Sequence, residues 1–253
     1  MAVRLGMITP SSNSVLEPVT SAMLADLPDV TAHFSRLRVT EIALDAPALG
    51  QFDPGHMLPA AELLADTKVG SIAWNGTSAS WLGIAQDETL CAAIAARTGI
   101  PATTSTLACL EAIRLAGRSR VGLVTPYTDE VQTRIGEVWR GASSPVHAER
   151  HLGIRNNFTF GEVTPAAIAE MIRAVVGEGC DVVVILCTNM NGARIAAALE
   201  RELDVLILDS VAVTLWRSLQ VASADVERLG EWGRIFREPG FRAMGRRAGH
   251  DAV

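Results

Sequence analysis

Arg4-Leu5-Gly6-Met7-Ile8-Thr9-Pro10 returns later in the chain as Arg120-Val121-Gly122-Leu123-Val124-Thr125-Pro126. Each is a short apolar run, stopped by Thr-Pro and followed by a polar, helix-opening segment. A second run with a small polar end follows in each half. In the first it is Ser71-Ile72-Ala73-Trp74-Asn75-Gly76-Thr77-Ser78, in the second Val183-Val184-Ile185-Leu186-Cys187-Thr188-Asn189. The chain therefore reads as two copies of one half, facing each other across a shared cleft. Gly76 and Cys187 stand on opposite walls of it, and only one wall carries a thiol.

Working outward, apolar β-branched runs alternate with amphipathic stretches throughout. Strands are expected near 3–9, 31–38, 69–75, 101–104, 120–125, 146–151, 181–187 and 204–209. Helices are expected near 14–26, 58–67, 79–98, 106–116, 128–140, 164–178, 191–202 and 211–221. Val182-Val183-Val184-Ile185-Leu186 is apolar on both faces, as parallel strands covered by helices require. The fold class is α/β, with two pseudo-symmetric Rossmann-like lobes, each a mainly parallel sheet under helices, and the active site between them. Residues 1–110 plus a C-terminal helix region make the first lobe, 111–222 the second, and 223–253 a tail. Segment 41–59 is rich in Pro and Gly and reads either as a lid over the cleft or as an ordinary surface excursion. The tail mixes Arg228, Arg234, Arg237, Arg242, Arg246 and Arg247 with Asp225, Glu227, Glu231 and Glu238, and reads as a terminal helix with a loose end.

At 253 residues and about half apolar, the chain has ample material for a buried core. Its net charge of −6 and the lack of a basic cluster in its body argue against nucleic acid. No signal peptide and no membrane-length apolar run is visible, so a cytoplasmic location is expected. The four cysteines, Cys91, Cys109, Cys180 and Cys187, show no metal-ligand spacing. No Walker loop or Gly-x-Gly-x-x-Gly follows a strand, so neither metal nor nucleotide nor any other cofactor is expected.

In open parallel sheets, ligands bind beyond the carboxyl ends of the strands. Those ends are Thr9 to Asn13, Gly76 to Ser78, Pro126 to Thr128 and Cys187 to Asn189. Each is rich in hydroxyls, amides and small residues, and two precede expected helices whose N–H groups suit a carboxylate. A free thiol titrates near pH ~8.5, and a helix start lowers that value while a bound anion raises it. Cys187 therefore reads as a nucleophile or a proton donor. No histidine is placed to activate it. Asn13, Thr188 and Asn189 read equally well as helix caps.

At these residues the chain resembles the aspartate/glutamate racemase superfamily, including maleate cis-trans isomerases and arylmalonate decarboxylases. Pro10-Ser11-Ser12-Asn13-Ser14 with Glu17 resembles the opening motif of the isomerases, whose asparagine holds a carboxylate. Asn157 in Leu152-Gly153-Ile154-Arg155-Asn156-Asn157 is similar to their second carboxylate-binding asparagine. Tyr127 is similar to a tyrosine common to isomerases and decarboxylases. Cys187 takes the place of the second superfamily cysteine. Gly76 stands where the first would be, and Gly76-Thr77-Ser78 resembles the oxyanion segment of arylmalonate decarboxylases.

The resemblance implies a small mono- or dicarboxylate substrate. Two-faced racemisation needs an acid or base on each side of the α-carbon, and Gly76 offers neither. Carbon dioxide loss needs no base, only an anion pocket and one acid. The expected function is thus cofactor-independent decarboxylation of a small substituted malonate, with Cys187 protonating an enediolate. The binding set is Asn13, Gly76, Thr77, Ser78, Tyr127, Asn157, Thr188 and Asn189. A maleate-like or racemase-like isomerase and a non-catalytic carboxylate binder stay open as alternatives, and a homo-oligomer is possible. Gly76→Cys is expected to introduce two-sided proton exchange.

Overall fold

The computed structural model describes residues 2–242. Its strands are β1 (Val3–Pro10), β2 (Val30–Leu37), β3 (Ser71–Trp74), β4 (Ala102–Thr104), β5 (Val121–Thr125), β6 (Val146–His151), β7 (Val182–Ile185) and β8 (Leu206–Asp209). They form two four-stranded sheets of identical order, β2-β1-β3-β4 and β6-β5-β7-β8. Every strand pair is parallel. The fold is therefore two lobes of α/β type. All residues of β3, β5, β7 and β8 are buried, because helices cover both faces and no alternating polar side is needed. Burying each Leu, Ile or Val of these strands contributes about 1.5–3 kcal/mol.

The first-lobe helices are α1 (Leu16–Leu24), α2 (Ala46–Gly50), α3 (Pro54–Ala65), α4 (Ala79–Leu82), α5 (Ile84–Thr98) and α6 (Ser105–Ala116). Beyond them come α7 (Asp129–Gly141), α8 (Asn157–Phe160), α9 (Pro165–Gly177), α10 (Ala193–Leu203), α11 (Ser210–Val221) and α12 (Pro239–Arg242). Two departures from the sequence reading have local causes. The helix expected over 79–98 is broken at Gly83, whose φ of 115° is closed to a continuing right-handed helix. Segment 41–59 holds α2 and the start of α3, because Pro47 and Pro54 fall in first turns, where a missing N–H is harmless. Asp45 and Asp53 cap those turns by accepting from the Ala48 and Gly55 N–H groups.

The register turns the sequence repeat into a residue-by-residue equivalence. Ile8 of β1 pairs with Trp74, and Val124 of β5, its counterpart in the repeat, pairs with Ile185. The next residues match too: the Asn75 N–H donates to Ile8 O and the Leu186 N–H to Val124 O, both at 2.9 Å. Trp74 is therefore the equivalent of Ile185, and Gly76 of Cys187. One strand outward, Trp74 pairs with Thr104 and Ile185 with Asp209. Thr104 caps α6 and Asp209 caps α11.

Helices α6 and α11 meet where the lobes join, with Thr214 Oγ1 donating to Ser105 Oγ at 2.7 Å. Helix α11 also reaches the first sheet, where Ser71 Oγ donates to Ser218 O. From Ser223 the chain makes two 3-10 turns, Glu227–Trp232 and Arg234–Phe236, before α12, rather than one terminal helix. Leu229, Ile235, Phe236 and Phe241 are buried there. The Trp216 indole N–H donates to Phe241 O at 3.2 Å, and Arg234 pairs with Asp204 at 2.7 Å. The rest of the expected tail, with Arg246 and Arg247, lies outside the described residues. Among the described residues, no helix is long and apolar enough to cross a membrane.

Candidate active site

The carboxyl ends of β1, β3, β5 and β7 converge between the lobes on a small cavity. It is lined by Pro10, Gly76, Thr77 and Ser78 from one side and Tyr127, Asn157, Cys187 and Thr188 from the other. Val39, Ile42, Phe52, Trp74 and Trp81 complete the wall with apolar surface. Only ≈ 20 Å³ is left in which the centre of a water-sized sphere fits. Narrow and largely walled by protein, such a space strengthens any charge interaction made within it.

Tyr127 is the only tyrosine in the chain, and it is buried at the end of β5. Its hydroxyl shares a hydrogen bond of 2.7 Å with Thr77 Oγ1, linking the two walls. Edge-on contacts to Trp81 and Phe160, with ring centroids 5.2 and 5.6 Å away, fix its plane. Burial holds its pKa well above the usual phenol value, and negative charge on the neighbouring Cys187 would push it further. Tyr127 is therefore a neutral hydrogen-bonding group.

Cys187 follows β7, and its sulfur accepts from the Asn189 N–H at 3.4 Å. The sequence reading sets a helix directly behind it, but α10 starts only at Ala193. The intervening turn gives the sulfur N–H neighbours without a helix end. Burial pushes the Cys187 thiol up to about 12. The Asn189 N–H, the Tyr127 hydroxyl and the Met190 N–H pull the other way, while the Asp209 carboxyl adds to the rise. At neutral pH the group is a thiol that keeps its proton.

Ser78 Oγ accepts from the Trp74 indole N–H at 3.2 Å. With that lone pair engaged, its own proton is free to donate into the cavity. Gly76 has no positive φ, so its lack of a side chain has a steric cause. A Cβ built there falls 2.7 Å from Trp74 Nε1 and closer still to Cε2 and Cζ2 of the same ring.

The remaining expected site residues have most of their polar groups engaged. Asn13 and Asn189 do not line the cavity. The Asn13 side-chain oxygen caps the start of α1, accepting from the Val15 and Leu16 N–H groups at 3.0 and 2.9 Å, and its amide donates to Thr188 Oγ1. Thr188 Oγ1 in turn donates to Asn75 O at 2.9 Å, so its proton is spent. The Asn189 oxygen accepts from the Ser14 N–H at 2.9 Å, and its amide donates to Asn157 O. Asn157 does line the cavity, and its amide donates to Ser12 Oγ at 2.7 Å. These residues tie the two lobes together around the pocket.

Residues 39–52 close the cavity from above with Val39, Ile42 and Phe52. The Ile42 N–H donates to Arg155 O, and the Asn157 N–H donates to Thr40 O, both at 3.0 Å. Arg155 bonds Glu41 at 2.9 Å and also reaches Asp45. The pairs hold Asp45 below and Arg155 above their ordinary pKa values, with the Ala48 N–H contributing most at Asp45. Sequence reasoning missed the apolar part of the wall, Trp74 above all. The available signal was a volume mismatch in the repeat, with tryptophan where the other half has isoleucine.

Two parallel α/β lobes that enclose one thiol, several hydroxyls and an apolar wall define a small-molecule enzyme cleft rather than a macromolecular surface. The arylmalonate decarboxylase family matches residues 5–236, and the chain belongs to that family. An arylmalonate decarboxylase of Bordetella bronchiseptica is 26% identical over 237 residues, covering 92% of this chain and 96% of that protein. A maleate isomerase of Geobacillus stearothermophilus is 24% identical, over 86% and 90% of the two chains. The solved maleate isomerase of Pseudomonas putida S16 with maleate superposes with a TM-score of 0.85 at 22% identity, over 95% of this chain and 98% of that one. The relatives are decarboxylases and isomerases, and this chain is an enzyme of that group.

Proposed function

We propose that this enzyme decarboxylates a small substituted malonate without a cofactor, and that Cys187 protonates the resulting enediolate on one face. The observation that carries this reading is the equivalence of Gly76 and Cys187, which leaves one thiol where a two-faced mechanism needs two groups. A carboxylate leaving as carbon dioxide puts its electron pair on the α-carbon and the remaining carboxylate. Ser78 and whichever of Thr77 and Tyr127 does not donate to the other are the hydroxyls available to hold the growing oxyanion charge, each rigidly mounted. The Cys187 S–H bond then breaks, its proton goes to carbon, and the thiolate recovers a proton after product leaves. The high thiol pKa suits this order, because the group is protonated when the carbanion forms.

The apolar wall of Val39, Ile42, Phe52, Trp74 and Trp81 suits an uncharged α-substituent. Maleate-type isomerisation is the second reading, favoured by Asn157 at the cavity edge. It would need Cys187 as a nucleophile, a role that a thiol pushed up to about 12 fills poorly. The test is to supply a panel of malonates and maleate, following carbon dioxide and fumarate in parallel. Carbon dioxide release that disappears in Cys187→Ser supports decarboxylation. Fumarate without carbon dioxide replaces it with the isomerase reading, and ligand binding without either product replaces it with a carboxylate binder.

A further inference from the structure

We infer that Trp74 is the specificity-determining residue that makes this site one-sided, its indole filling the space in which a side chain at position 76 would stand. The catalytic half of this inference rests on the one-thiol decarboxylation reading; the steric half does not.

Trp74 is fully buried and lines the cavity beside Gly76 and Cys187. Its equivalent in the other lobe is Ile185, a smaller side chain that does not line the cavity, and Cys187 stands two residues on. In the first lobe the wider indole reaches over the corresponding position. A Cβ at residue 76 would overlap the fused edge of the ring, Nε1, Cε2 and Cζ2. The ring has little freedom to retreat, because it sits in a close-packed core and its N–H is bound to Ser78 Oγ. Glycine at 76 and tryptophan at 74 are thus two halves of one choice. The indole keeps one face of the pocket free of any acid and aims the Ser78 proton into the cavity. Gly76→Cys alone, the change expected from sequence to give two-sided exchange, lacks room for its sulfur.

The test is a set of variants: Gly76→Ala and Gly76→Cys, each in the native chain and in a Trp74→Leu background. If Trp74→Leu does not fold, Trp74→Phe takes its place, since it removes the fused edge and the N–H. Two quantities are read, the melting temperature and α-hydrogen exchange of both enantiomers of an α-substituted acid in deuterium oxide. In the native background either substitution at 76 should lower Tm by about 5 °C or more, or prevent folding. Beside Trp74→Leu the same substitutions should cost less than about 2 °C. Gly76→Cys with Trp74→Leu should exchange the α-hydrogen of both enantiomers: one sulfur takes it as a proton, and the other returns deuterium to the opposite face. Gly76→Cys alone should not. Equal losses of Tm in both backgrounds overturn the inference. So does exchange by Gly76→Cys alone, or, where the native enzyme releases carbon dioxide, Tm coupling without exchange in the double variant. The melting measurements need no turnover, so absence of carbon dioxide release in the native enzyme defeats the decarboxylation reading while leaving this coupling readable.

Discussion

The two lobes share strand order and register, yet they end their third strands differently. The first runs out through Trp74, Asn75 and Gly76, the second through Ile185, Leu186 and Cys187. At one exit a large ring fills the pocket wall and the next position but one is bare. At the other a smaller side chain is followed two residues on by a thiol. The same backbone frame therefore carries a thiol on one wall and none at the equivalent place on the other. Chemistry is set by which residue stands at an equivalent place, not by a difference in fold.

The strongest way to break this contrast is to remove the acid. Cys187→Ser should cut carbon dioxide release by about 10³-fold, because a serine hydroxyl is a far weaker acid. The fold should be retained, as shown by an unchanged circular dichroism spectrum. Turnover within a factor of ten of the native enzyme would remove Cys187 from the mechanism.

Next come the hydroxyls, one from each wall. Ser78→Ala and Tyr127→Phe should each lower kcat by about 10²-fold while changing KM little, if they act on charge that grows in the transition state. A change in KM alone would assign them to ground-state binding instead.

The lobes also each bury a carboxylic acid, Asp87 in α5 and Asp209 at the end of β8. Burial raises both from 3.8 to about 7. Asp87 is opposed by a hydrogen bond from Thr104, and Asp209 by the N–H groups of Ala212, Val211 and Ala193. Asp209 Oδ2 itself has no hydrogen-bond partner. The folded state keeps these protons at pH values where the unfolded chain has released them. Stability should therefore fall as pH rises from about 4 to about 7 and level off above, by on the order of 1 kcal/mol per pH unit and group at most. Asp87→Asn should flatten that slope in urea titrations at a series of pH values. An unchanged slope would mean the carboxyl is ionised throughout.

The smallest effect is expected at the rim. Arg155 and its partners Glu41 and Asp45 are exposed, so Arg155→Ala should leave the urea unfolding midpoint nearly unchanged. A marked drop would show that residues 39–52 depend on these pairs rather than on buried Val39, Ile42 and Phe52.

The strands were legible because an uninterrupted run such as Val182 to Leu186 has one physical use in a protein of this size. The thiol wall was legible because Cys187 sits where such a run stops. Other features needed three dimensions. Asn13, Thr188 and Asn189 look alike as ligands or caps in one dimension, and only their partners show that they link the lobes. The break at Gly83 hid inside a good helical pattern, since a lone glycine is tolerated in many helices. Trp74 escaped because a tryptophan in an apolar strand suggests filler, and the direction of its ring cannot be read from spacing.

The clasp of Asn13, Asn75 and Thr188 draws its members from both halves and lies against the pocket itself. Cutting the chain between β4 and β5 would separate these partners, and fragments joined from distant relatives should keep the Asn13 and Thr188 side chains together, since Asn75 supplies only its backbone carbonyl. Two halves alike in strand order are thereby locked to one another at the pocket they share.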